Sequence, residues 1–180
     1  MPIYTKKGDK GETGLPGGRR LSKTEPIFEV LGALDSVNAS LGLAASLLSK
    51  SLIELRPVIN QVQSTLLDIG AHIAEAEPKR LNLIVDLPTQ TKQLEELIDT
   101  WNDKLPKLEN FILPGGSTPA AVLQLARTTV RQAERQYHHL SHTELTISEY
   151  LNRLSDFCFQ MARLINQRLT TPDEHWKRQT

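Results

Sequence analysis

The sequence has few of the features that mark secreted, membrane-bound or nucleic-acid-binding proteins. Its one cysteine, Cys158, has no second cysteine with which to form an internal disulfide. Lys and Arg together number 21, as do Asp and Glu, so no net charge attracts nucleic acid and any anion site must be local. Neither a charged and then apolar leader nor an apolar run of about 18 residues is visible. We therefore expect a cytoplasmic protein that binds neither nucleic acid nor membranes.

Aromatic residues are also scarce, at 5% of the 180 residues, whereas Leu, Ala, Gln, Glu and Arg dominate the middle and end of the chain. This balance favours helices over sheets. With 39% hydrophobic residues, the chain is long enough to bury one substantial core. The composition predicts a single all-α domain and excludes a disordered, tail-like protein.

Apolar residues recur every three or four positions in five stretches, which predicts five helices. Pro26 suits the first turn of helix one, because its fixed φ is helical and its missing N–H costs nothing there. Ser51 and Glu54 form a candidate capping box for helix two, although Pro57 leaves the start of that helix open by one turn.

Pro78 and Pro88 interrupt residues 75–90, which we expect to be a connection. The remaining boundaries are helix three ending before Pro106, helix four running from Thr118 to about Ser141, and helix five starting at Thr146 or Ser148. Five helices with short links predict a bundle over residues 25–168, followed by a tail at residues 169–180.

Residues 1–24 form a predicted basic, flexible, glycine-rich loop. The first 23 residues hold five of the ten glycines, and six basic residues against two acidic ones. Glycines let consecutive backbone N–H groups converge on an anion and lysines add charge, so the loop suits a nucleoside triphosphate. It contains neither a Walker P-loop nor a dinucleotide-binding fingerprint. From composition alone, a solvated terminal arm is an at least equally good interpretation.

Helix four places a row of polar residues on one side and mostly apolar ones on the other. The polar row is Gln124, Arg127, Arg131, Glu134 and Arg135, and the opposite side holds Val122, Leu125, Ala126, Ala133 and Tyr137. A row of arginines can bind phosphate. Taken alone, a solvent face with helical ion pairs worth about 0 to 1 kcal/mol is the favoured interpretation.

Helix five carries a second strip, made of Asn152, Asp156, Phe159 and Arg163, which could simply be exposed. The histidines at 138, 139 and 142 lack a Cys or carboxylate partner at an established spacing, so we expect no metal held by protein side chains alone. Cys158 lies in the apolar seam of helix five, where a core role is favoured over a nucleophilic one.

Several stretches form a set in a fixed order along almost the whole chain. They are Ile3-Tyr4-Thr5-Lys6 with Gly8-Asp9-Lys10-Gly11, Gly32-Ala33-Leu34-Asp35, Phe111-Ile112-Leu113-Pro114-Gly115-Gly116, Ala126-Arg127 with Arg131, Ala133-Glu134-Arg135, and Asn152-Arg153-Leu154-Ser155-Asp156. Together they resemble the PduO-type ATP:cob(I)alamin adenosyltransferases, also called corrinoid adenosyltransferases. The set in this order favours phosphate binding over both solvent-exposed interpretations.

The resemblance implies a homotrimer of ferritin-like five-helix bundles, with ATP between neighbouring subunits and cobalamin beside it. The implied reaction transfers the 5′-deoxyadenosyl group of ATP to cob(I)alamin and releases triphosphate. Mg²⁺ would accompany ATP, and a reductase or reduced flavin would supply electrons. The alternatives are a noncatalytic corrinoid or nucleotide carrier or sensor, and a purely structural oligomer.

The resemblance also implies roles for single residues. ATP would be bound by Thr5, Lys6, Lys7, Gly8, Lys10, Thr13, Gly14 and Lys23 from the loop, and by Arg131, Glu134, Arg135 and Asn152 from the helices. Arg131 would be catalytic, because it meets the charge of the leaving triphosphate. Asp35 and Arg127 would pair across subunits. Phe111 would crowd the lower face of the corrin ring, with Phe159 as its neighbour.

Overall fold

The described residues form five α-helices, as predicted, and these account for most of the chain. The structure, a computed structural model, describes residues 4, 6, 8–75 and 85–178. The helices are α1 (Pro26–Ser46), α2 (Arg56–Glu75), α3 (Leu87–Asn102), α4 (Thr118–Tyr137) and α5 (Leu145–Arg168). A short 3₁₀ helix, Lys50–Leu55, leads directly into α2. The prediction of an all-α five-helix bundle is confirmed.

The core lies where the apolar stripes of the helices meet. α5 packs against α3 and α4, and α1 packs against α2 and α4. The predicted seam of α5 is buried along its length, at Ile147, Leu151, Leu154, Cys158, Met161 and Ile165. The rings of Trp101 on α3 and Phe157 on α5 meet at a centroid distance of 5.4 Å. Burial of this stripe is the main driving force for the bundle.

α1 is long and apolar enough, by length and composition alone, to cross a membrane, and among the described residues it is the one helix that meets this test. The sequence prediction had found no such run. In the structure α1 packs within the bundle, and Val30, Val37 and Leu41 are fully buried. These contacts are those of a core helix.

The expected connection over 75–90 is wrong at its end, because α3 already begins at Leu87. Pro88 lies in the first turn of the helix, where its missing N–H costs nothing. The Asp86 carboxylate caps this turn by accepting from the Thr89 backbone N–H at 3.3 Å and from the Thr89 hydroxyl at 2.6 Å. These two bonds lower the pKa of Asp86.

The capping box predicted at Ser51 and Glu54 is also wrong. Both residues lie in the 3₁₀ helix, and α2 begins after it, with Pro57 in its first turn. The Ser51 hydroxyl bonds the Ser49 hydroxyl at 2.9 Å, and the Glu54 carboxylate pairs with Arg168. The proline therefore sets the start of α2.

Two other helix ends differ from the predictions, because α4 ends at Tyr137 rather than near Ser141 and α5 begins at Leu145 rather than at Thr146 or Ser148. α3 ends at Asn102, before Pro106 as predicted. The turn after α4 is fixed by the Tyr137 hydroxyl, which accepts a hydrogen bond from the Glu144 backbone N–H at 2.7 Å. This contact joins the last turn of α4 to the start of α5, so the chain reverses over residues 138–144.

The expected loop over 1–24 contains a short antiparallel hairpin, with strands β1 (Glu12–Gly14) and β2 (Arg20–Ser22). Gly17 and Gly18 turn the chain with φ angles of +87° and +88°, which glycine adopts without steric cost. Strands of three residues are too short to show an alternating pattern, which is why the sequence did not reveal them.

Candidate functional site

The predicted helical half of the site lies on adjoining faces of α4 and α5. Asn152 on α5 donates from Nδ2 to Glu134 Oε1 on α4 at 3.1 Å. Arg131 and Arg135 are exposed on α4, and neither forms an ion pair with a described residue. The two guanidinium groups are therefore free to bind an anion from solvent or from another molecule.

Two residues of α4 do not lie where the sequence placed them. Gln124, predicted in the arginine row, is 5% exposed, and its Oε1 accepts a hydrogen bond from Arg127 Nε at 2.9 Å. Leu125, predicted on the apolar side, is 59% exposed. The reason is that α4 packs against both α1 and α5, so its buried arc is centred on other positions.

Two of the predicted loop residues, Gly8 and Lys23, lie close together at the base of the hairpin. The Lys23 backbone N–H donates to Gly11 O at 2.8 Å, and the Gly11 N–H donates to Gly8 O at 3.3 Å. The Lys23 Nζ lies 3.4 Å from where a Cβ on Gly8 would be, so the ammonium group lies over the glycine backbone. A Cβ at Gly8 would lie in van der Waals contact with this lysine.

The other loop residues are more dispersed. Lys10 is exposed and Thr13 is half-buried in β1. Lys6 has a positive φ of 58° and its Nζ lies 5.9 Å from the centroid of the Tyr4 ring. Gly14 ends β1, and Thr5 and Lys7 lie outside the described residues.

Within one chain, the loop half and the helical half of the predicted site do not touch. Among the described residues, no hydrogen bond or ion pair joins residues 4–23 to Arg131, Glu134, Arg135 or Asn152. Asp35, on α1, is exposed and forms no ion pair with Arg127 of the same chain in the described structure. A single chain therefore leaves both halves open.

Phe111 is 81% exposed, on the segment between α3 and α4. Its backbone O accepts from the Trp176 N–H at 2.7 Å, and the Leu113 N–H donates to Glu174 O at 2.7 Å. The C-terminal tail thus runs antiparallel to this segment, and beside it lies an open depression of about 910 Å³. Phe159 is half-buried on α5, and its ring makes no stacking contact with that of Phe111.

Sequence reasoning missed the residues that hold this segment in place. Arg163, read as part of a strip that could be exposed, is 3% exposed, and it bonds Asp173 and the Pro106 carbonyl. Asn166 is also buried and bonds Ser117. The only signal in the sequence is that these two polar residues interrupt an apolar helix. Pro106 and Ser117 lie far away in the chain, and Asp173 lies beyond the end of the helix.

No group of three His, Cys, Asp or Glu side chains in the described parts of the chain is placed to hold a metal ion. The three histidines near the end of α4 are exposed, whereas His72 is buried and its Nε2 lies 2.7 Å from Glu144 Oε1. Burial raises the pKa of the Cys158 thiol to about 12. A thiol of this kind stays protonated at neutral pH and is a poor nucleophile.

Comparisons with known proteins agree with this architecture. A family model described as Cobalamin adenosyltransferase matches residues 3–165. The corrinoid adenosyltransferase of Bacillus subtilis (strain 168) is 38% identical over 183 residues, which cover 99% of this chain and 93% of the relative. That of Mycobacterium leprae (strain TN) is 35% identical over 186 residues, covering 97% and 95%.

Solved structures are also similar. A variant of the PduO-type ATP:corrinoid adenosyltransferase from Lactobacillus reuteri, complexed with cobalamin and ATP, has a TM-score of 0.93 at 34% identity, covering 98% of this chain and 97% of that one. A second variant of that protein, complexed with ATP, has a TM-score of 0.89, covering 97% and 100%. The similarities in sequence and in structure both cover nearly the whole chain. The chain therefore belongs to the cobalamin adenosyltransferase family.

Proposed function

We propose that this enzyme transfers the 5′-deoxyadenosyl group of ATP to cob(I)alamin, forming adenosylcobalamin and releasing triphosphate. Membership of the family supports this activity, as do the similar solved structures, which hold cobalamin and ATP. The observation that carries the proposal is a pair of exposed arginines, Arg131 and Arg135, that form no ion pair with any described residue and lie beside the Asn152–Glu134 hydrogen bond. A nucleotide carrier would also bind the triphosphate through this charge, so the release of triphosphate is the observation that separates the enzyme from a carrier.

The chemistry requires little from the protein beyond position and charge. Cob(I)alamin, the substrate, is itself the nucleophile and attacks the 5′ carbon of ATP, so that the bond to the triphosphate oxygen breaks. Negative charge accumulates on the departing triphosphate, where the forked guanidinium of Arg131 stabilises it. No Ser, Cys or His nucleophile is needed, which agrees with the burial of Cys158.

The N-terminal segment supplies the rest of the triphosphate site in this proposal. Lys10 and Lys23 add point charges, and the positive φ of 81° at Gly11 turns the backbone between them. Thr5, Lys6, Lys7, Gly8, Thr13 and Gly14 complete the set of proposed ATP contacts. Mg²⁺ would be bound by the phosphates of ATP rather than by a cluster of protein side chains.

We place the ATP site between subunits of a homotrimer, because the loop half and the helical half do not meet within one chain. Asp35 and Arg127 lie on α1 and α4 and would pair across the interface. Asp35→Arg should break the trimer, and adding Arg127→Asp should restore it, as measured by light scattering coupled to gel filtration. A wild-type protein that is monomeric at micromolar concentration would contradict this assembly.

Phe111 is proposed to lie under the corrin ring, with Phe159 nearby. An apolar side chain there excludes water and the lower axial ligand, and a cobalt(II) centre without axial ligands is easier to reduce. The relative from Lactobacillus reuteri was solved as variants at a phenylalanine and at an arginine twenty residues further on. Phe111 and Arg131 have the same separation here, which supports both assignments.

We also propose the cellular compartment of the enzyme and the partners with which it works. A single buried cysteine suits a reducing compartment, so we place the enzyme, as one domain over residues 1–180, in the cytoplasm. The electron donor is a reductase or a reduced flavin. We expect no nucleic-acid or membrane partner, because the net charge is zero and α1 is used in the core.

The decisive experiment is an anaerobic incubation of the purified protein with ATP, Mg²⁺ and chemically reduced cob(I)alamin. The expected result is the light-sensitive cobalt–carbon product together with one equivalent of triphosphate. Binding of ATP and cobalamin without triphosphate release would instead indicate a carrier or sensor. Absence of ATP binding would indicate a structural oligomer.

A further inference from the structure

The segment that carries Phe111 has no regular secondary structure of its own. It connects α3 to α4, over residues 103–117. The Phe111 side chain is 81% exposed, so its own packing within the chain does not fix its position. What fixes it must therefore be the set of hydrogen bonds that hold the backbone on either side.

Two polar residues of α5 hold the two ends of this segment. Arg163 donates from Nη2 to the Pro106 carbonyl at 2.7 Å, near the start. Asn166 accepts at Oδ1 from the Ser117 backbone N–H and from its hydroxyl, both at 2.9 Å, and donates to Gly115 O at 3.3 Å, near the end. Arg163 and Asn166 are one helical turn apart, so one face of α5 supports both ends.

The middle of the segment is held by the C-terminal tail. Trp176 N–H to Phe111 O and Leu113 N–H to Glu174 O, both at 2.7 Å, flank an antiparallel bridge between Ile112 and His175. The tail reaches this place because the chain turns directly after α5, where Thr170 has a positive φ of 55° and the Thr171 N–H bonds Asn166 O at 2.8 Å. Phe111 therefore depends on where the tail lies.

Asp173 joins these supports to one another. Its Oδ2 accepts from Arg163 Nε at 2.9 Å, and its Oδ1 accepts from Asn166 Nδ2 at 3.4 Å. The side chain of Arg163 is 3% exposed and that of Asp173 is 18% exposed, so water does not substitute easily for this pairing. One carboxylate thus ties the tail to both residues that hold the ends of the Phe111 segment.

We propose that Asp173, acting through Arg163 and Asn166, is a positioning residue that sets the height of Phe111 against the corrin ring. The proposal rests on the proposed function, since it acts through the role of Phe111 given above. Displacing a group by about 1 Å in an active site can cost about 100-fold in rate. Without Asp173 the tail loses its side-chain link to Arg163 and Asn166, so the restraint that the tail places on the Phe111 backbone weakens.

The test compares Asp173→Ala and Asp173→Asn with the wild-type enzyme, in an assay that starts from cob(II)alamin. For Asp173→Ala we expect kcat to fall at least tenfold, the KM for ATP to stay within twofold, and the electron paramagnetic resonance signal of four-coordinate cob(II)alamin to diminish. Asp173→Asn keeps an acceptor oxygen and should therefore recover part of kcat and part of the four-coordinate cob(II)alamin signal. The matched control is Glu54→Ala, which removes the exposed partner of another α5 arginine, Arg168. This variant should change neither kcat nor the spectrum.

A second pair of variants tests the contact between the tail and the Phe111 backbone without disturbing buried charge. Trp176→Pro removes the N–H that bonds Phe111 O, whereas Trp176→Ala keeps it. Trp176→Pro should therefore lose at least fivefold more activity than Trp176→Ala, with both proteins folded by circular dichroism. This pair answers the question even where Asp173→Ala fails to fold, and equal rates for the two would overturn the proposal.

A double variant separates this inference from the proposed function. If Asp173 acts through Phe111, then Phe111→Ala/Asp173→Ala should be no more than twofold slower than Phe111→Ala alone. Losses that multiply, or an Asp173→Ala enzyme with normal kcat and spectrum beside an impaired Phe111→Ala, would overturn the positioning role alone. Full turnover by Phe111→Ala would overturn both this role and the proposed one for Phe111.

Discussion

The side-chain amide of Asn152 donates to Glu134 Oε1 at 3.1 Å, joining α5 to α4 at the edge of the arginine row. Glu134 is thereby engaged by a neutral partner, although arginines lie three residues before it and one residue after it. This arrangement leaves the charge of Arg131 and Arg135 available to a ligand. It is the geometric basis for the triphosphate site.

Arg131→Ala should nearly abolish turnover. Removing one preorganised donor from a developing anionic charge raises the barrier by about 3 to 4 kcal/mol, or roughly 10² to 10³ in kcat. Arg131→Lys keeps the charge but not the planar fork, so its kcat should lie between those of the wild type and Arg131→Ala. The readout is triphosphate release from ATP and cob(I)alamin under anaerobic conditions, with the exposed Lys92→Ala on α3 as the control. A kcat within threefold of wild type for Arg131→Ala would remove this role.

Phe111→Ala should retain ATP affinity and lose most activity when the assay begins from cob(II)alamin. The reason is that the alanine no longer excludes water and the lower axial ligand from the cobalt, so reduction becomes harder. Supplying pre-reduced cob(I)alamin should restore a large part of the rate, because that step is then bypassed. ATP binding by calorimetry serves as the internal control. Unchanged turnover from cob(II)alamin would exclude Phe111 from this task.

The helices could be predicted from sequence because each one buries a stripe that follows the helical period, as the six buried seam positions of α5 illustrate. Their ends depend on single local contacts that periodicity does not encode. Asp86 capping Thr89 moves the start of α3 ahead of the proline that suggested a connection. The hairpin depends on two glycines with positive φ, which no pattern of apolar residues reveals.

The residues of the functional site were likewise predictable only in part. Glu134 and Asn152 could be proposed together because both belong to motifs of the family, and the structure places them in contact. Arg163 could not be assigned, since its partner Asp173 reaches it only after the chain reverses beyond α5. Contacts that depend on the path of an irregular segment lie outside what local sequence can specify.

Gly116→Ala should destabilise the protein and loosen the Phe111 segment. Gly116 has a φ of +95°, and a Cβ there would overlap the Asn166 side chain. The left-handed backbone alone costs about 1 to 2 kcal/mol for a residue with a side chain. Gly115→Ala is the matched control, because no atom lies within 4 Å of its Cβ position, and its φ is not in the left-handed region. Urea unfolding should show a lower midpoint for Gly116→Ala only, and equal midpoints would contradict the geometry.

Thr170→Gly should stabilise the protein by about 1 kcal/mol. Thr170 follows α5 with a φ of +55°, in a Schellman motif closed by Thr171 N–H to Asn166 O at 2.8 Å and Thr170 N–H to Gln167 O at 3.1 Å. A β-branched residue is strained there, whereas glycine is not. Thr171→Gly, next to it, lacks this strain and should not stabilise. A lower unfolding midpoint for Thr170→Gly would show that the threonine is not strained.

Stability should fall as the pH rises above about 8.5. Burial raises the pKa of the Cys158 thiol to about 12 and also raises the pKa of the Tyr150 phenol. In the unfolded chain these groups lose their protons near pH 8.5 and pH 10, whereas in the folded protein they keep them. The unfolded state therefore binds fewer protons, and the stability due to Cys158 is lost progressively between about pH 8.5 and 12.

Cys158→Ala removes this thiol and leaves every other ionisable side chain in place, and burial, the main cause of the raised pKa of Tyr150, is still present in the variant. Between pH 8.5 and 10 the wild type should lose up to about 1.4 kcal/mol per pH unit more than the variant, measured from urea unfolding curves. At pH 7 the variant should be the less stable protein, since a buried side chain has been shortened. Parallel pH profiles for the two proteins, or rapid labelling of the folded thiol by iodoacetamide at pH 9, would mean that Cys158 is exposed to solvent on the timescale of the assay.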